Sequence, residues 1–69
     1  MKAITLSELK GKGPDAFIAK TIECSNDHDY YLDELLDGQY LISYAEFPKS
    51  IHKELSDARV AYELLVKNK

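Results

Sequence analysis

The sequence predicts a small, mainly α-helical domain of three to five helices ending in a long C-terminal one, and three observations carry that prediction. The chain has 69 residues, 45% apolar and 30% charged, which suits one thin core and excludes a disordered tail. It contains only 3 Gly and 2 Pro, so few positions interrupt a helix. Apolar residues in the last third and in two earlier stretches recur at spacings of three and four.

At the N-terminus, Thr5-Leu6-Ser7-Glu8 has the pattern of a capping box for a short helix ended by Gly11, while residues 2–6 fit a short strand equally well. Gly13-Pro14-Asp15 then opens a second helical pattern with Pro in its first turn. Phe17, Ile18, Thr21, Ile22 and Cys24 fall on one side of it, which puts Cys24 at an apolar edge. A third helix is expected over residues 27–37, capped by Asn26, with Tyr31, Leu32, Leu35 and Leu36 facing inward and Gly38 as its stop.

That third helix has a competitor. Asp37-Gly38 is a favoured hairpin turn, and Gln39 to Phe47 alternates with Tyr40, Ile42 and Tyr44 on one side. A hairpin would place Glu34 on the same strand face as Tyr30, Leu32 and Leu36, whereas a helix separates the apolar residues from the acids, so the helix is preferred. The alternative fold is therefore α+β, with a short strand pair at residues 2–6 and 39–45 or a hairpin at Asp37-Gly38. From Lys49 to Lys69 there is no Gly or Pro; Ser50 follows Pro48 as an N-cap, and Ile51, Leu55, Ala58, Tyr62 and Leu65 mark the inner face of about five turns. Lys67 and Lys69 complement the negative end of its dipole. A single domain spanning residues 1–69 is expected.

Charge is unevenly distributed. The formal net charge is -3, from 9 Lys and Arg against 12 Asp and Glu. Residues 25–47 carry six acids and no Lys or Arg, together with Tyr30, Tyr31, Tyr40 and Tyr44. On a helix, Asp29, Asp33 and Asp37 would form a ladder of like charges that weakens the helix, with Tyr30 and Glu34 beside them. Local stability does not account for such a ladder; a docking face for a basic partner does, with carboxylates for steering and Tyr30 as an aromatic anchor. On the last helix Val60 and Leu64 point away from the apolar stripe, and a second copy of the chain is one way to cover them.

Catalysis is not expected. Cys24 and His28 are four apart with Asp27 and Asp29 beside them, but they fall on different expected elements. Asp27, His28, Asp29 and His52 lack a metal-ligand spacing, and Gly11-Lys12-Gly13 lacks the Lys-Ser/Thr of a phosphate loop, so neither metal nor cofactor is anticipated. One cysteine excludes an internal disulfide, and no apolar run is long enough for a signal peptide or membrane helix, so a cytoplasmic protein without membrane association is expected.

The opening Met1-Lys2-Ala3-Ile4-Thr5-Leu6-Ser7-Glu8-Leu9 is similar to the first strand and helix start of the Phd/YefM antitoxins. The resemblance implies a DNA-associated transcriptional regulator using the Lys-bearing N-terminal segment, with Lys2, Lys10, Lys12 and Lys20. It spans nine residues, and beyond them carboxylates and tyrosines stand where that family would have a basic or neutral hairpin. One Arg and a pI near 5.2 provide poorly for base readout or phosphate attraction, which disfavours direct nucleic-acid binding. The leading expectation is a non-catalytic regulator or inhibitor that docks residues 25–47 onto a basic surface of a partner protein. Small phage- or plasmid-type inhibitors, including DNA mimics, share this size and acidity.

Overall fold

The computed structural model describes residues 3–45 and 47–67, and its architecture overturns the mainly helical expectation. Helix α1 (Leu6–Lys12) and a single 3-10 turn (Pro14–Phe17) lead into strands β1 (Ile18–Cys24), β2 (Tyr30–Leu35), β3 (Tyr40–Tyr44) and β4 (Phe47–His52), followed by helix α2 (Leu55–Lys67). The strands form one antiparallel sheet in sequence order, β1-β2-β3-β4, with helices on both faces. This is an α+β fold.

The expected second helix is thus one 3-10 turn and an edge strand, and the expected third helix is β2. Register explains why β2 resembles a helix in sequence. Leu32 pairs with Ile42 and Asp33 with Leu41, and β1 flanks β2 on its other side, so this strand is interior to the sheet. Helix α2 lies over one of its faces and α1 over the Leu35 end of the other, and Leu32, Asp33 and Leu35 are all buried regardless of the period-two alternation. Two-sided burial imitates a spacing of three and four. The chain reverses where Leu35-Leu36-Asp37-Gly38 closes a β-turn, with the Gly38 N–H donating to the Leu35 carbonyl at 3.1 Å and Gly38 at φ 89°. Here glycine is needed for the left-handed backbone.

The expected C-terminal helix is shortened. Ser50 and Ile51 belong to β4, and helix begins only at Leu55. Ala58 and Tyr62 of α2 pack on Tyr30, Leu32 and Ile42, with Ile22, Leu55, Leu65 and Val66 around them. Ala58 is fully buried; its small side chain lets the helix approach the sheet. On the opposite face α1 drops Leu9 onto Leu35 and Leu41, joined by Phe17, Ile18 and Ile51.

At the N-terminus the capping pattern is realised and the strand is not. Thr5 caps α1, its Oγ1 accepting from the Glu8 N–H at 3.3 Å, and the helix passes through Gly11 to end at Gly13. Ile4 is fastened to the hairpin instead of pairing as a strand: its N–H donates to Asp37 Oδ2 at 2.8 Å, and its carbonyl accepts from Gln39 Nε2 at 3.0 Å. The edge strands carry features that discourage further pairing, with register shifts in β1 and Pro48 in β4. Lys2 and Lys69 lie outside the described residues.

Candidate functional site

Strand pairing sorts side chains by parity. On β2, Tyr30 and Leu32 face α2, while Tyr31 and Asp33 face the other way. Helix α1 covers only the Leu35/Leu41 end of that second face. The remainder is a cleft of about 570 Å³ whose floor is Thr21, Tyr31, Asp33 and Ser43, with Asp15 and Asp29 also lining it.

Asp33 is the unusual residue in this floor. It is an acid in an interior strand, 3% exposed, and among the described residues its side chain accepts one hydrogen bond, from Thr21 Oγ1 to Oδ1 at 2.7 Å. Burial pushes its carboxyl above the ordinary Asp range; the Thr21 hydrogen bond pulls it back, and the charge of Asp15 raises it further. Ser43, 4% exposed, makes no side-chain hydrogen bond among the described residues. No enclosed side-chain oxygen lacks a partner among the described residues, so Asp33 Oδ2 and Ser43 Oγ must open on the cleft. The floor therefore offers two recessed acceptors beside a half-buried tyrosine, with two further carboxylates around them. Chemically it suits a cationic hydrogen-bond donor.

The five residues expected on one acidic face are redistributed. Asp29 and Asp33 come together in the cleft. Tyr30 is 6% exposed under α2, its ring centroid 4.7 Å from that of Tyr44, so it is a core residue and not an exposed anchor. Glu34 is half-buried on the α2 side, paired in register with Lys20 and Tyr40. Asp37 sits in the hairpin turn, where it holds Ile4 and Gln39. Burial acts against the Asp37 charge, but the hydrogen bonds from Ile4 and Gln39 prevail and hold its pKa below the ordinary value. Val60 and Leu64 stand exposed on the outer side of α2.

The charge pattern along the chain does not single out Asp15, Thr21, Tyr31 or Ser43 as site residues. The hairpin reading contains the signal for Tyr31, because strand parity puts it with Asp33 opposite Tyr30 and Leu32. Nothing in the sequence links Asp15 to this face. Cys24 also departs from expectation: it is exposed, and its Sγ lies 3.8 Å from His28 Nδ1. The contact arises because Ser25 to His28 form a turn with His28 at φ 61°. Lys10 and Lys12 are exposed on α1, and Lys20 on β1.

Among the described residues no group of three His, Cys, Asp or Glu side chains is arranged to hold a metal ion, and no helix is long and apolar enough to cross a membrane. Comparisons with protein families, with characterised proteins and with solved structures find no match for this chain.

Proposed function

We propose that this protein is a small non-catalytic regulator or inhibitor that binds a basic surface of a partner protein, and that its contact is the cleft on the sheet. The acidic middle segment keeps the role its charge suggested, but through Asp29 and Asp33 joined by Asp15. The observation that carries this reading is Asp33: a carboxylate 3% exposed, held among the described residues by one hydrogen bond, from Thr21, and opening on a cleft. A recessed carboxylate with so little compensation is costly to ionise. A Lys or Arg side chain entering from a partner would restore the missing interactions, with Ser43 Oγ as a second acceptor and the Tyr31 ring as a wall. The exposed thiol of Cys24 suits a reducing compartment, in keeping with a cytoplasmic role.

The test is an amide-resolved NMR titration of the full chain with a hexa-arginine peptide. Saturable shifts centred on Thr21, Tyr31, Asp33 and Ser43 are expected, retained in Glu63→Gln and lost in Asp33→Asn. Shifts spread evenly over all acidic positions, or unchanged binding by Asp33→Asn, would overturn the proposal.

A further inference from the structure

The outer side of α2 carries a second pattern, independent of the cleft. At 100° per residue, Asp57, Val60, Leu64 and Lys67 lie within an arc of about 80°, spaced 3, 4 and 3 along the helix like the seam of a coiled coil. All four are exposed, Val60 at 57% and Leu64 at 56%. The opposite side of the helix is already occupied by the sheet through Ala58 and Tyr62. Asp57 and Lys67 make no ion pair among the described residues.

We infer that this ridge pairs with the same ridge of a second copy of the chain, the two α2 helices running antiparallel about a two-fold axis level with position 62. That level is midway between Val60 and Leu64, and also midway between Asp57 and Lys67. One axis therefore sets Val60 against Leu64 of the second copy, twice, and Asp57 against its Lys67, twice. Parallel packing would instead oppose Asp57 to Asp57 and Lys67 to Lys67, which is repulsive. Self-complementarity in both apolar and charged pairs is what a two-fold interface requires, and it singles out another copy over an unrelated helix. A helix of 13 residues is about 20 Å long, so the contact is smaller than that of a permanent dimer and association depends on concentration. Because α2 and the cleft lie on opposite faces of the sheet, the dimer leaves both clefts open. A partner with two basic sites would then be held bivalently.

Sedimentation velocity on the full chain, from micromolar to millimolar concentration, tests this. The wild type is expected to move from monomer to twice that mass, and Leu64→Glu to remain monomeric with its circular dichroism unchanged. Asp57→Lys alone and Lys67→Asp alone should each weaken association at least tenfold. The double reversal carrying both should recover it to within about threefold of wild type. A wild type that stays monomeric throughout, a dimer indifferent to Leu64→Glu, or a double reversal no better than either single variant would each overturn the inference.

Discussion

Replacing Asp33 by Asn separates the role of this carboxylate in folding from its role in binding. Asn keeps a carbonyl oxygen for the Thr21 hydroxyl, now 2.7 Å from Oδ1, and removes the charge. Two effects compete. A hydrogen bond to a charged acceptor is stronger than one to a neutral acceptor by about 1 kcal/mol, and that difference is lost. Against it stands the cost of holding an ion in a residue 3% exposed, which for an isolated charge is several kcal/mol. Contact with the cleft reduces that cost without cancelling it, so the net effect at neutral pH is a gain of about 1 kcal/mol. In a domain of this size such a gain raises Tm by about 4–8 °C.

The pH dependence gives the argument its sign. Because the folded pKa of Asp33 is raised, the unfolded chain releases this proton first as pH increases. Stability is lost between the ordinary Asp pKa and the higher folded one, and the loss persists above that window. The advantage of Asp33→Asn should therefore be full at neutral pH and vanish below the ordinary Asp range, where both states of the wild type are protonated. Thermal melts followed by far-ultraviolet circular dichroism across this range read it directly. A variant less stable than wild type at neutral pH, or an advantage that grows on acidification, would refute the reasoning. Combined with lost peptide binding, a higher Tm would mark Asp33 as a residue kept for function at a cost in stability.

Two further predictions concern the frame around the cleft. Leu32, fully buried between the strands and α2, should cost about 2–5 kcal/mol as Leu32→Ala, a large share of a small domain's stability, read as a fall in the urea midpoint. A loss under about half a kcal/mol would mean that α2 does not pack there. Asp37→Asn should loosen the N-terminal segment, because the folded pKa of Asp37 is depressed by the hydrogen bonds it accepts from Ile4 and Gln39. Its contribution is present above the ordinary Asp pKa and disappears as pH falls through the lower folded value. Amide exchange at Ile4 should therefore accelerate in this variant at neutral pH and match the wild type at strongly acid pH; equal exchange at neutral pH would contradict the clamp.

Several elements are legible in the amino-acid sequence alone. The Thr5 cap follows from a side chain placed to accept a nearby N–H, and the strand character of Tyr40–Tyr44 from simple alternation. The second half of the C-terminal helix follows from an apolar stripe of helical period, and Val60 and Leu64 are recognisable as lying off that stripe. The helical reading fails where two partners cover one strand. Tyr31, Leu32, Leu35 and Leu36 form a clean helical face on paper, yet Leu36 is 66% exposed in the hairpin turn while Asp33 is buried. The Asp37-Gly38 turn, whose backbone hydrogen bonds are local, carries the correct information and is outweighed by a periodic pattern.

Near neighbours alone specify the Thr5 cap, the turn at Asp37-Gly38, the concentration of acid in residues 25–47 and the Val60 and Leu64 ridge late in the chain. The single core expected, by contrast, is two clusters on opposite faces of the sheet, and the caps expected at Asn26 and Ser50 open no helix. Which acids meet is set by the pairing of distant segments. Asp29 and Asp33 share a cleft with Asp15 because β1 and β3 pair on either side of β2 and α1 stops short of covering that face. Tyr30 became core, and Glu34 moved to the α2 side, by the same pairing. Charge and periodicity are properties of the chain; the face on which a side chain emerges is set by long-range strand register, to which the distant segments contribute equally.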